Sequence, residues 1–292
     1  MKNLRSHPVK AADCNFSPAH RSSIIIRPPG GWIRLKLKEL IFYKDLIYIL
    51  AWRDIRIRYK QTIIGTAWVV LQPIVTLLIF TLLFGKLAKI PSGSIPYPIF
   101  AFSALVPWTF FVHALTKLTH CLVSQQEVLK KVYFPRLVIP IASVLAAFID
   151  FVIAFFILIM MMFYYGIVPT VAVAALPFLV LLTVATALGI GLWLAALHVE
   201  YRDVGNALPF VIQTLLFITP VAYPSSMIPK HWQTVYALNP MAGVVEGFRW
   251  ALLGTERLSA SVLWISNLAV FIILIGGIYF FRWKEDRFAD IV

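Results

Sequence analysis

One acidic residue stands inside a long apolar run of this sequence. Asp150 lies near the middle of residues 137–167, which contain no other Asp, Glu, Lys or Arg. A charge in such surroundings is costly and usually marks a transport pathway or a partner charge. Two interpretations stay open. Asp150 is either a polar point on a translocation route or in the bundle interior, or it is protonated or structurally paired, with Ser143 or a residue of another span.

Two histidines and a lysine share one helical face in an earlier apolar run. His113, Lys117 and His120 are spaced by four and three residues, which places them side by side on a helix. They could form a metal or proton site, but a metal cluster normally needs a third ligand of the right type. We therefore expect polar groups that pack against neighbouring helices near one end of a span.

The sequence contains no motif for nucleotide binding or hydrolysis. It lacks Gly-x-x-x-x-Gly-Lys-Ser/Thr, Gly-x-Ser-x-Gly and His-Glu-x-x-His, the patterns that cradle phosphates, present a nucleophilic serine and bind zinc. We therefore expect that this chain is not an enzyme and binds neither cofactor nor metal.

Composition indicates that lipid is part of the solvent. Of 292 residues, 60% are hydrophobic and 13% are charged, whereas a soluble domain is nearer half apolar and a quarter charged. The net charge of +13 would suggest nucleic acid in a soluble protein. In a membrane protein, Lys and Arg at the membrane borders fix orientation and meet anionic headgroups, so we expect no nucleic-acid partner.

The elements that must position these residues are predicted to be six membrane-spanning helices in an all-α fold. Each run approaches the ~20 residues that a helix needs to cross hydrocarbon; the runs are residues 65–85, 99–121, 137–167, 171–197, 204–222 and 262–281. Residues 1–31 are predicted to be a disordered basic tail. Residues 32–60 have the pattern of an amphipathic interfacial helix, with Trp52 on its apolar face. Residues 32–292 are therefore predicted to be one transmembrane domain.

Two short helices are predicted outside the spans. Ser124-Gln125-Gln126-Glu127 is a capping box, and Pro135 ends the helix that it starts, so residues 125–134 form a cytoplasmic helix. On the other side, Asn239 can cap a helix that begins at Pro240 and stops at Gly254. An apolar stripe on that helix predicts that residues 223–261 form a helical hairpin in or on the outer leaflet; the stripe is Met241, Val244, Val245, Phe248 and Leu252.

The order of motifs resembles one known family. Residues 52–60 (Trp-Arg-Asp-Ile-Arg-Ile-Arg-Tyr-Lys) lead into Ile64-Gly65-Thr66-Ala67-Trp68 and Gln72-Pro73. This is similar to the Arg-Asp…Arg-Tyr…Leu-Gly…Trp…Pro signature of the permease subunits of type-two ABC exporters, with Ile64 in place of the usual Leu. The polysaccharide-export branch, which includes O-antigen, capsule and teichoic acid permeases, is the most similar. The resemblance covers residues 32–292, and its further matching segments are 128–136, 201–203, 239–249 and 288–292.

The resemblance implies a homodimer in the cytoplasmic membrane that exports a lipid-linked polysaccharide such as O-antigen. It also implies two copies of a separate P-loop ATPase, which use ATP and Mg²⁺. The implied contact with that ATPase is Ser124, Gln125, Gln126, Glu127, Val128, Leu129, Lys130 and Lys131. The implied translocation path includes Phe80, Phe84, Phe217, Tyr223 and Asp150. The implied outer gate comprises Asn239, Pro240, Glu246 and Arg249.

Other functions stay open. The substrate could be a capsular polymer, a teichoic acid, a drug or a lipid. An ion-coupled carrier or channel would need several buried charges, where this sequence offers chiefly Asp150. An intramembrane enzyme would need a catalytic set that the sequence does not contain.

The distribution of positive charge generates a test of topology. Of the 26 Lys and Arg residues, 21 fall on the side that holds both predicted termini and five on the other, so both termini should be cytoplasmic. Cysteines introduced at Ser92 and Ser225 should react with a membrane-impermeant thiol reagent in intact cells, and one at Gln126 should not. The reverse labelling pattern would overturn the orientation.

Overall fold

The regular structure of the described residues is helical, as the sequence predicts. The computed structural model describes residues 37–60, 67–132, 134–229, 232–255, 260–285 and 288; the predicted tail, residues 1–31, lies outside them. The α-helices are α1 Leu37–Phe42, α2 Lys44–Lys60, α3 Ala67–Phe80, α4 Tyr97–Ser124, α5 Gln126–Lys131, α6 Val138–Tyr164, α7 Leu176–Glu200, α8 Asp203–Ile218, α9 Gln233–Ala237, α10 Pro240–Leu253 and α11 Ala260–Lys284. A π-helical segment, Thr81–Leu87, continues α3. Two 3-10 turns are Val171–Ala175 and Ser225–Met227.

Within the described residues, five helical stretches are long and apolar enough to cross a membrane. They are Ala67–Leu87, Tyr97–Ser124, Val138–Tyr164, Val171–Glu200 and Leu263–Lys284, and they confirm five of the six predicted spans. The span predicted over residues 204–222 is α8, which has only 16 residues. A helix of that length extends about 24 Å, less than the ~30 Å of hydrocarbon in a typical bilayer.

Helix α8 nevertheless carries the chain from one end of the bundle to the other. Near its start, the Gly205 N–H donates to His198 Nδ1 at 3.2 Å, where α7 ends. Just after its end, Thr219 Oγ1 accepts from Asn239 Nδ2 at 2.9 Å, between α9 and α10. Helix α8 and a short non-helical continuation therefore join the two ends of the bundle. We call the end that holds α5 the basic end, and the end that holds α9 and α10 the hairpin end.

The predicted interfacial helix is two helices, α1 and α2, separated at Tyr43. In α2, Leu50 and Ala51 are buried in the core cluster at the basic end, and α2 packs along α6. Trp52, on the predicted apolar face, is 47% exposed. The face of α2 that contacts the bundle is therefore not the one that carries Trp52, and the interfacial position of the helix stays a prediction.

Helix α4 is the centre of the bundle. It packs against α6, α7 and α10, and less extensively against α3 and α8. An aromatic group joins three of these helices: the ring of Phe110 lies 5.3 Å from that of Phe151, and Phe151 lies 6.4 Å from Phe248. Tilted and edge-to-face contacts of this kind add about 0.5–1.5 kcal/mol each beyond the burial of apolar area.

Two glycines let α7 and α11 approach until their backbones touch. A Cβ atom on Gly277 would lie 2.4 Å from the carbonyl oxygen of Gly189, and one on Gly189 would lie 2.9 Å from the Leu274 nitrogen. Small residues at such contacts let membrane helices pack closely. Any side chain at either position would push the two helices apart.

Helix α10 of the predicted hairpin forms, and it is packed inside the bundle. Asn239 caps α10 as predicted, because its Oδ1 accepts from the Met241 N–H at 3.1 Å. Gly254 ends the helix with a φ of 66°, the left-handed conformation that glycine adopts readily. The whole predicted apolar stripe is buried, and α10 packs against α4, α7 and α11. Residues 256–259 of the predicted hairpin lie outside the described part of the chain.

Candidate functional site

The cap predicted for the cytoplasmic helix is wrong, although the helix exists. Helix α5 spans Gln126–Lys131 instead of residues 125–134, and its N-cap residue, Gln125, makes no side-chain capping bond. Ser124 is still the last residue of α4, and its Oγ donates to the His120 carbonyl at 2.6 Å. Glu127 pairs with Lys131 at 3.0 Å. The hydroxyl bonds back to its own helix because α4 continues to Ser124, a common alternative for serine in a helix.

Helix α5 presents a polar surface at the basic end. Its exposed side chains are Gln126, Glu127, Lys130 and Lys131. Val128 and Leu129 are half-buried and pack against a core cluster that contains Leu122 and Phe134. The two lysines lie in the last turn, where positive charge is favourable next to the helix dipole. The apolar side chains of α5 therefore hold it against the bundle, and its charged side chains are exposed at the basic end.

A hydrogen bond connects this region to α2. Gln125 Nε2 donates to Asp54 Oδ2 at 3.5 Å, while Arg53 donates to the other carboxylate oxygen at 2.9 Å. Arg58 lies four residues after Asp54 and so shares its face of α2. One face of α2 thus contacts both the residue before α5 and, through Arg58, the bundle interior.

Asp150 forms an ion pair inside the bundle. Arg58 donates to its Oδ2, and His113 Nδ1 lies 3.8 Å from the same oxygen. Ser143, the alternative partner, donates instead to the Ile139 carbonyl at 3.0 Å. Of the interpretations left open by the sequence, pairing within the bundle is observed, with a partner on α2. A single acidic residue in an apolar span indicates that a partner lies nearby, but this signal does not single out Arg58.

A small cavity opens beside the ion pair of Arg58 and Asp150. Gln72, Thr76 and Thr109 also line it, and its volume of about 20 Å³ suits about one water molecule.

The two histidines of α4 occupy different places. His113 lies beside Asp150, whereas His120 packs edge-to-face on His198, with ring centres 4.8 Å apart. Among the described residues, no three His, Cys, Asp or Glu side chains are grouped to hold a metal ion.

The predicted path residues lie in three places. Phe80 and Phe84 pack together at 5.2 Å between ring centres, and Phe84 belongs to the π-helical segment. The Tyr223 hydroxyl donates to the Phe217 carbonyl at 2.9 Å, so this second pair lies at the end of α8. Asp150 belongs to the interior ion pair. The structure therefore does not bring all five residues together.

Tyr97 connects the two aromatic pairs and was missed by the sequence analysis. Its hydroxyl donates to the Ala222 carbonyl at 2.9 Å, next to Tyr223. Its ring lies against Gly85, where an added Cβ would come within 2.8 Å of Tyr97 Cδ1, next to Phe84. A buried tyrosine hydroxyl usually finds a hydrogen-bond partner, and this rule was the signal by which Tyr97 could have been chosen.

Arg249 is the centre of the predicted outer gate. It is fully buried, and its Nη2 donates to the Val221 carbonyl at 2.7 Å. Its Nη1 donates to the Tyr223 carbonyl and to Glu246 Oε1, both at 3.1 Å. Its guanidinium also lies 3.8 Å from the centre of the Phe100 ring. Arg249 therefore binds the segment after α8 to α10 and α4.

The other predicted gate residues act on the same segment. Glu246 accepts from the Ser225 N–H at 3.0 Å, and Asn239 donates to Thr219, as described above. Pro240 is the first residue of α10. The structure thus brings Asn239, Glu246 and Arg249 together around residues 219–225, whereas the Pro240 carbonyl accepts from Ser266 on α11. Their partners are mainly backbone atoms of that segment, which sequence analysis did not single out.

Burial changes the acid–base behaviour of two residues in this cluster. It lowers the pKa of Arg249, and the neighbouring Glu246 carboxylate opposes that shift. It also raises the pKa of the Tyr236 phenol, and the hydrogen bond from Tyr236 to the Tyr223 hydroxyl, 3.4 Å long, raises it further. Tyr236 is therefore a neutral hydrogen-bond donor at physiological pH.

The helices, the exposed α5 and the buried hairpin define a multi-pass membrane protein, and the sequence comparison identifies its class. Residues 45–253, from α2 to the end of α10, match the ABC-2 type transporter family. The chain belongs to this family, which confirms the resemblance seen in its motifs.

Several relatives match over almost their whole length. The O-antigen export system permease protein RfbA of Klebsiella pneumoniae is 28% identical to this chain, with 88% of the chain and 99% of the relative covered. RfbA of Myxococcus xanthus is 29% identical with the same coverage. The polysialic acid transport protein KpsM of Escherichia coli is 26% identical, with 83% and 95% covered.

Removing the guanidinium of Arg249 should destabilise the protein strongly. The variant Arg249→Met leaves Glu246 buried without its cation, and breaking a buried pair from one side typically costs about 3–5 kcal/mol. The double variant Arg249→Met/Glu246→Gln should lose less than the sum of the two single losses, because it removes the unpaired charge as well. Thermal unfolding of the purified protein in detergent measures these effects, with the exposed Arg56→Met as control. An Arg249→Met protein as stable as the control would contradict this role.

Proposed function

We propose that this chain is the membrane permease of an ATP-driven exporter that moves a lipid-linked polysaccharide of the O-antigen kind across the cytoplasmic membrane. The observation that carries the proposal is the nearly full-length similarity to O-antigen export system permeases of two bacterial genera. A bundle of five long helices with the shorter α8 supports it.

ATP hydrolysis is assigned to a separate subunit. The sequence has no P-loop, so a P-loop ATPase in two copies would bind ATP and Mg²⁺. Helix α5 supports this assignment because it offers charged side chains on an apolar base at the basic end. We assign residues 124–131 to the contact with the ATPase, even though the predicted cap is absent. The basic end then faces the cytoplasm, together with both termini, as the positive charges indicate.

The permease is proposed to act as a homodimer. None of the residues of α3 is buried in a single copy, and only Gly205 and Leu208 are buried in α8. A second copy placed against these helices would enclose a path lined in part by the predicted aromatic residues. Flat rings suit sugar faces, and Phe217 is 63% exposed in one copy.

A capsular polymer is the second candidate substrate, because KpsM, named as a polysialic acid transport protein, matches 83% of this chain. A teichoic acid, a drug or another lipid has no comparable support. An ion-coupled carrier is less well supported by the structure, since Asp150 is matched by Arg58.

Reconstitution tests the proposed function. The chain is purified from cells that also produce the P-loop ATPase encoded with it, and the complex is placed in vesicles with lipid-linked polymer. We expect the ATPase to co-purify and the polymer to cross the membrane only with ATP. Transport of a small drug without transport of the glycan would reject the polysaccharide function, and a permease purified without any ATPase would reject the ABC role.

Two double variants should distinguish the residues that bind the ATPase from those that line the substrate path. Lys130→Glu/Lys131→Glu reverses exposed charge on α5 and should lower ATPase association several-fold. Phe84→Ala/Tyr223→Ala should keep the ATPase bound but slow export, so that lipid-linked polymer accumulates inside cells. ATPase pull-down and surface polysaccharide are measured for both pairs. Equal loss of ATPase binding in the two variants would contradict this division of roles.

A further inference from the structure

One face of α4 stays open along residues 109–120, where the other residues of the helix are buried. The residues of this face that are half-buried or exposed are Thr109, Val112, His113, Thr116, Lys117 and His120. Their spacing of three or four residues makes them a continuous stripe along the helix, and five of the six are polar. We call this set the polar stripe. Polar groups are costly where a membrane helix faces lipid, so the stripe calls for a polar environment.

Most members of the polar stripe have partners inside the protein. The hydroxyls of Thr109 and Thr116 donate to carbonyls of their own helix at 3.1 and 2.8 Å. His113 lies beside Asp150, and His120 packs on His198. Lys117 differs from them, because it makes no hydrogen bond or ion pair with any residue in the described part of the chain.

The acidic residues near Lys117 are already paired with arginines. Lys117 lies within electrostatic range of Arg58, Asp150 and Asp54. Each of these carboxylates already has an arginine: Arg58 donates to Asp150, and Arg53 donates to Asp54. The two pairs are neutral in sum, so the positive charge of Lys117 is not compensated by an ion pair within the described residues.

Two cavities are lined by neighbours of Lys117 in the polar stripe. Thr116 and His120 line a cleft of about 410 Å³ between α4 and α8, whose walls are mainly apolar and also include Gln213. His113 lines the small cavity on the α3 side. Lys117 follows Thr116 directly and lies one turn after His113, seven residues before the end of α4 at Ser124, which is about 10 Å inside the helix. A molecule with an anionic group for Lys117 and an apolar part for the neighbouring cleft suits this part of the polar stripe.

We propose that Lys117 is an anion-binding residue for the transported substrate. The inference rests on the proposed function and names the group recognised: a phosphate or a carboxylate of a glycolipid or its glycan. A lysine ammonium is a compact charge with three donors, and its hydrogen bonds to such anions are stronger than those between neutral groups. The polar stripe on either side supplies hydroxyl and imidazole groups to the adjacent polar part of the substrate.

The test measures binding of two anionic probes by the complex with its ATPase in lipid nanodiscs. One probe is a polyprenyl monophosphate, which carries only a lipid phosphate, and the other is polysialic acid, which carries only glycan carboxylates; neutral dextran is the negative control. Lys117→Gln should weaken binding of at least one anionic probe by about tenfold or more, whereas Lys117→Arg should retain it. The matched control is Lys86→Gln, which removes an exposed lysine at the other end of the bundle and should bind as wild type.

The outcomes distinguish a failure of the Lys117 inference from a failure of the proposed export function. A loss confined to the polyprenyl phosphate places the anion on the lipid, and a loss confined to polysialic acid places it on the polymer. If Lys117→Gln binds both probes as tightly as wild type, Lys117 only extends towards lipid headgroups and the inference is wrong. If the wild-type complex exports no glycan in the reconstituted vesicles, the proposed function fails, whatever the result at Lys117.

Discussion

Arg249 makes a short, non-helical piece of chain possible inside an apolar bundle. After α8 ends at Ile218, the carbonyl groups of Val221 and Tyr223 lie outside any helix, and such groups cannot be left facing lipid. The guanidinium offers five donors in a fixed fork, and it uses them on Val221, Tyr223 and Glu246. The chain can therefore pass from one end of the bundle to the other with a helix of only 16 residues, because α10 supplies the hydrogen bonds that a longer helix would have made for itself.

The same requirement, that a charge within the bundle must meet a partner, organises the other half of the molecule. Asp150 draws Arg58 inward, and Arg58 brings α2 against α6. Because Asp54 lies four residues before Arg58, the same face of α2 also reaches Gln125 beside α5. The region proposed to meet the ATPase and the ion pair deep in the bundle are thus connected through one helix face.

Features set by local chemistry could be predicted from the sequence, and features set by distant contacts could not. The ends of α10 followed from Asn239, Pro240 and Gly254, whose effects act within one turn. The capping box at Ser124 failed because a helix can end at several neighbouring residues, and packing around α4 decides which. The partner of Asp150 lies 92 residues away in sequence, so composition required a cation but could not select Arg58. The gate residues were predicted as a group, yet their main partners are backbone atoms, which have no sequence signature of their own.

The backbone contact between Gly189 and Gly277 holds α7 and α11 tightly together. These two helices cannot separate or slide without losing close packing along their whole contact, so they form a rigid part of the molecule. Helix α3 has no buried residue and α8 has two, so displacing either of them disturbs few packed side chains. Displacing α3 or α8 is therefore less costly than separating α7 from α11, and each of the two helices borders part of the open face of α4.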